Sequence, residues 1–138
     1  MSVVEGERSK GNLEVIEASK NLVRYTHDRV KDKEIFPKNE RWMLANATYQ
    51  SARGARSMIL RANAIKVESK TDAETRINCE KQAIGYLEDL SDCIDTLHIT
   101  EKISGDRADY WISLVEKTMK PLKGWLKSDK RRYKEFLG

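Results

Sequence analysis

Few residues in this chain are of the kind that does chemistry. Cys79 and Cys93 are the two thiols and His27 and His98 the two imidazoles among 138 residues. Both cysteines fall in one expected helix. At ~1.5 Å rise per residue their Cα atoms stand about 21 Å apart, too far for a disulfide or a shared metal, so they read as two small buried thiols. A di-iron carboxylate bundle needs Glu-x-x-His motifs on facing helices. The nearest approach is Asp95-Thr96-Leu97-His98, and His27 lies in Arg24-Tyr25-Thr26-His27 with no carboxylate three residues before it. Phosphate-cradling glycine loops and a nucleophile elbow are absent from the sequence. No catalytic residue, metal site or cofactor is therefore expected.

The cations are more informative, because they are segregated along the chain. Residues 37–66 carry Lys38, Arg41, Arg53, Arg56, Arg61 and Lys66 against Glu40, a net of +5. Residues 67–103 sum to −5, and residues 120–138 return to +5 through Lys120, Lys123, Lys127, Lys130, Arg131, Arg132 and Lys134. Segregation of this sort is the footprint of an electrostatic docking surface for polyanions. Arg53, Arg56 and Arg61 offer planar forks for phosphate or carboxylate, and Lys38 and Arg41 fall where a helix N-terminus also favours anions. Lys123, Lys127, Lys130, Arg131 and Arg132 complete the candidate binding set. Trp42, Tyr49, Trp125 and Tyr133 interleave the cations and are candidates to stack on bases.

Four helices must position these groups. Proline occurs only at positions 37 and 121, and turn residues interrupt the helical pattern at 31–36, 68–71 and 100–105. The first helix is expected from Gly11 or Asn12 to Val30, with Asn12 as N-cap. The second should open at Pro37, whose fixed φ suits a first helical position, and run to Lys66. Its stripe of Leu44, Thr48, Ser51, Ala55, Ile59 and Ala62 is built of small residues that allow close helix approach. A capping box between Thr71 and Glu74 should start the third, which runs to His98. The fourth should begin near Ser104 or Asp106 and kink or break at Pro121. Short loops between helices of this length give an all-α, antiparallel up-down four-helix bundle over residues 12–128. Residues 1–11 are expected to be a flexible N-terminus and 129–138 a basic C-terminal tail. No apolar run reaches the ~18 residues of a membrane span, and the first residues lack the apolar core of a signal peptide, so a cytoplasmic location without membrane contact is expected.

Helical spacing also leaves apolar residues outside a single core stripe. Trp42, Tyr49, Leu60 and Val67 fall nearly opposite the core of the second helix. The third helix is apolar around more than half its girth: Ala73, Ile77, Ile84, Leu87 and Ile94 form one strip, and Cys79, Ala83, Tyr86, Leu90, Cys93 and Leu97 the next. One stripe of about 100° suffices for a monomeric bundle. The surplus marks Trp42, Tyr49, Leu60, Cys79, Tyr86 and Leu90 as a candidate oligomer interface.

The segments Leu22-Val23-Arg24-Tyr25-Thr26-His27-Asp28 and Phe36-Pro37-Lys38-Asn39-Glu40-Arg41-Trp42-Met43-Leu44, followed by a helix rich in small residues, resemble a family of bacterial and phage four-helix-bundle proteins. That family includes the accessory variability protein of diversity-generating retroelements and the proteins of ribosomal RNA intervening sequences. The Tyr-Thr-His-Asp segment and Gly124-Trp125-Leu126-Lys127-Ser128 look more like the retroelement branch. The resemblance covers about residues 12–128, and the basic stretch after Ser128 and Pro121 depart from its pattern. It implies a homopentameric, positively charged barrel without catalysis of its own, which binds the element's reverse transcriptase and nucleic acid, template RNA above all and DNA as well, to support mutagenic retrohoming. The ribosomal branch implies instead an oligomer that binds RNA without a polymerase partner. Neither implies a cofactor or a small-molecule substrate.

Overall fold

The computed structural model describes the backbone of residues 2–39 and 41–138, and the side chains of 12–39 and 43–138. The long helices are α1 (Ser2–Val30), α2 (Arg41–Ala64), α3 (Lys70–Ile99) and α4 (Gly105–Arg132), followed by one short turn, α5 (Lys134–Leu137). Among the described residues there is no strand. Each long helix packs on the next in sequence and α4 closes back on α1, whereas α2 and α4 do not touch. They occupy diagonal corners of the bundle.

Cross-helix contacts fix the directions. Asn12 Nδ2 donates to Asn63 Oδ1 (3.1 Å), and at the other end the His27 and Tyr49 rings sit 5.8 Å apart, so α1 and α2 run antiparallel. Trp111 Nε1 donates to Thr26 Oγ1 across α4 and α1 (3.1 Å), while Arg76 near the start of α3 meets Asp129 near the end of α4. Tyr86 of α3 lies against Gly54 of α2, where a Cβ would come within 2.6 Å of the ring; glycine is what permits that approach. The bundle is thus up-down and antiparallel. Its core is Leu22, Ile59, Leu87, Leu90, Ile94, Trp111, Val115 and Leu122, all essentially without exposure.

Several boundaries differ from the sequence expectation, each for a local reason. Helix α1 begins at Ser2, not at Asn12, so residues 2–11 continue the helix and Asn12 is no cap. Helix α2 begins at Arg41, not Pro37, because Ile35 and Phe36 are both buried and plug the end of the bundle. The chain makes a tight turn to seat them, with the Phe36 amide donating to the Asp32 carbonyl (2.9 Å) and the Glu34 amide to Asp32 Oδ1 (2.9 Å). The cap of α3 is Ser69, whose hydroxyl accepts from the Asp72 amide, two residues before the expected Thr71. Ser104 caps α4, accepting from the Arg107 amide, within the expected start near Ser104 or Asp106.

Of the expected kink or break at Pro121 the break is absent: helix α4 runs through it from Gly105 to Arg132. Proline forfeits one backbone bond, but Val115 and Thr118 before it and Leu122 and Trp125 after it are all buried on one face, and their burial holds both halves in register. Within residues 129–138, the expected basic tail, Asp129 and Tyr133 are buried and α5 packs on α3.

Candidate nucleic-acid interface

The cations begin from how α4 is anchored. Arg76, buried on α3, donates through Nε to Asp129 Oδ2 (2.7 Å) and through Nη1 to the Ile65 carbonyl (3.0 Å). Its guanidinium lies over the Trp125 ring (5.1 Å to centroid) and the Tyr133 ring (5.8 Å). Arg132 closes the cluster from the other side, giving Nη1 to Asp129 Oδ1 (2.7 Å) and stacking on Tyr133 (5.6 Å). Glu80 stands one turn from Arg76, 0% exposed, with Arg76 Nε 3.7 Å from Oε2. Burial pushes the Glu80 carboxyl from 4.5 up to about 10, and the neighbouring Asp129 adds to the rise. Glu80 is therefore protonated at neutral pH, and neither of its oxygens has a hydrogen-bond partner among the described residues. Together these groups consume the charge of Asp129 inside the protein and fix the last turn of α4.

What remains outside is a ridge of cations. Lys120, Lys123, Lys127, Lys130 and Arg131 recur every three or four residues on the outer face of α4, all exposed. Among the described residues none of them makes a hydrogen bond or an ion pair. Lys117, one turn earlier on α4, and Lys134, on α5, are also exposed. Between them the one carboxylate, Asp129, is turned inward and neutralised. The ridge thus carries uncompensated charge over about 16 Å at ~1.5 Å per residue.

The structure sorts the candidate residues. It brings Lys123, Lys127, Lys130 and Arg131 together on this ridge, and adds Lys120, which its 3–4 spacing with Lys123 and Lys127 could have flagged. Arg132 leaves the set, because its guanidinium is held by Asp129, Ser128 and Tyr133. Arg56 leaves it too: its Nη1 donates to the Ile16 carbonyl and to Ser19 Oγ, both at 3.0 Å, and so ties α2 to α1. Arg53 and Arg61 are exposed but belong to α2, on the corner diagonal to the ridge. Lys38 is exposed in the α1–α2 turn, at the far end of the bundle from Lys130. The Arg41 side chain lies outside the described residues. The cations separated in sequence therefore form two faces, not one.

The aromatic expectation is corrected as well. Trp125 and Tyr133 are buried beneath Arg76, so neither offers a face to a base, and Tyr49 is half-buried beside His27. Trp42 lies outside the described side chains. Of the candidate interface residues, Cys79 and Leu90 are enclosed by the chain's own helices and cannot meet a partner. The third helix is broadly apolar because it packs on both α2 and α4, which uses both strips at once. Leu60 and Tyr86 keep 40% and 36% of their surface, the latter with its ring set over Gly54.

An open groove of ≈ 1020 Å³ runs between α1 and α4, with Tyr25 and Tyr110 at one end and Lys117 and Lys120 at the other. Glu14, Asp28 and Glu116 line it beside Arg24, Lys117 and Lys120, so the groove itself is of mixed charge. Among the described residues no three His, Cys, Asp or Glu side chains converge as metal ligands, and no helix is long and apolar enough to cross a membrane. Both cysteines are buried free thiols, and burial raises the Cys93 pKa. Comparison with protein-family models, with curated proteins and with solved structures finds no match.

Proposed function

We propose that this chain is a non-catalytic, nucleic-acid-binding accessory protein of the diversity-generating retroelement type. In this reading it acts in the cytoplasm as a homopentameric barrel, holds template RNA on its basic surface and docks the element's reverse transcriptase. The observation that carries the nucleic-acid part is the α4 ridge, whose cations have no partner among the described residues and whose one interspersed carboxylate is neutralised inside. Uncompensated lysines at one-turn spacing serve a polyanion, since each phosphate contact releases condensed counterions. The resemblance of residues 25–28 and 124–128 to the retroelement branch supports that assignment. The exposed apolar side chains Leu13, Met43, Leu60 and Ile99 support an assembly, being more than a solitary bundle has reason to leave in water.

Light scattering of the purified chain tests the assembly. A mass near five times 15.9 kDa is expected, and a monomer at micromolar concentration overturns the barrel. Co-purification with a reverse transcriptase encoded beside this gene, next to a pair of near-identical repeats, tests the partner. RNA binding in a genome without that enzyme would move the protein to the ribosomal intervening-sequence branch.

A further inference from the structure

We infer that the outer face of α2 in one copy docks on the outer face of α3 in a second copy of this chain. The inference rests on the reading above that the chain assembles, and names the surfaces that meet. Helix α2 has no Asp or Glu between Arg41 and Ala64, and Arg53 and Arg61 stand exposed on it. Helix α3 has no Lys or Arg from Gln82 to Ile99, and over that stretch Glu88, Asp89, Asp92 and Asp95 are all exposed. Among the described residues none of these charged groups makes an ion pair or a side-chain hydrogen bond. One chain thus carries two unpartnered helix faces of opposite sign, and a second copy supplies the complement of each. Arginine is suited to this, because its planar fork matches a carboxylate with two parallel bonds.

The same two helices carry exposed apolar side chains, Met43 and Leu60 on α2 and Tyr86 and Ile99 on α3. The ridge on α4 is cationic too, but no large apolar side chain is exposed between Lys117 and Arg131. The centre of a protein–protein contact is apolar, enriched in arginine and poor in lysine, so α2 and not the ridge fits the acids of α3. Spacing agrees. Exposed positions recur along α2 at 43, 46, 50, 53, 57, 60 and 64, and along the acidic half of α3 at 88, 92, 95 and 99. That alternation of three and four is the seam on which two helices pack. Half-buried Gly85 lies one turn before Glu88, and a Cβ there would meet nothing within 4 Å, which leaves room for a side chain from outside the chain.

Charge exchange with the full chain tests this, reading mass by light scattering at low salt and helicity by far-UV circular dichroism. Arg53→Glu with Arg61→Glu, and separately Glu88→Arg with Asp92→Arg, should each bring the assembly down to the 15.9 kDa single chain with helicity unchanged. All four substitutions in one chain should restore the parental mass, because the two faces again have opposite signs. Either pair keeping the parental mass, or the fourfold variant remaining dispersed, overturns the inference while the assembly itself stands. Lys127→Glu with Lys130→Glu should leave the mass unchanged; dispersal by that pair would mean that the acids of α3 meet the ridge, and overturns it as well. A parent that is monomeric overturns both this inference and the assembly on which it rests. RNA binding, which lies with the ridge, is not at issue in any of these results.

Discussion

Glu80 is the residue whose chemistry departs furthest from its type. It has no exposed surface, and its carboxyl holds its proton up to about pH 10 because burial and Asp129 both oppose its ionisation. In the unfolded chain the same carboxyl loses its proton near 4.5. A group raised on folding gives its full stabilisation below the unfolded value and loses it as pH climbs towards the folded one. Stability should therefore decline between about pH 4.5 and about 10. Glu80→Gln is close in shape and carries no titration, so it should be more stable than the parent at pH 8 and flatten that decline. Urea unfolding at pH 5, 7 and 9 measures both. A variant with the parental pH slope would show that some other group sets it. None of this is visible in the sequence, where Asp129 reads as one more charge near a basic terminus. Its partner Arg76 is 53 residues away, and only the closing of α4 on α3 brings the two together.

At the scale of elements, periodicity alone yields four helices, and the up-down order follows from their length and short loops. The ends are harder. Pro37 carries a helix-start signal that the burial of Ile35 and Phe36 overrides, and Ser69 and Thr71 are both competent caps two residues apart. Arg56 looks like Arg53 and Arg61 in the sequence, yet it faces α1 and spends its donors there. Pro121 is the clearest conflict between a local rule and its context. The helix persists through it because the face on both sides is buried, so the cost of the missing bond is borne by the whole bundle. Pro121→Ala should restore that bond and raise the unfolding free energy by about 2 kcal/mol, the helical gain less the loss of proline's restraint on the unfolded chain. Chemical denaturation checks it; no gain would mean that the backbone has already relaxed around the proline.

At the scale of the molecule, the diagonal placement of α2 and α4 decides what charge reversal does. Arg53→Glu with Arg61→Glu alters a corner remote from the ridge, so RNA affinity at 100 mM salt should fall less than threefold. Lys127→Glu with Lys130→Glu should weaken it by more than tenfold and reduce the salt exponent by about 2. Equal losses from the two pairs would mean that a neighbouring subunit brings the corners together. The burial of Tyr133 and Asp129 has a different consequence, for digestion. Trypsin cuts after lysine and arginine, and its densest targets in the chain lie between Lys117 and Lys134. A protease needs an extended backbone, which a helix docked at its last turn yields only by local opening. Limited digestion should therefore nick the connections at 31–38 and 66–70 first, and spare the stretch that offers the enzyme the most sites.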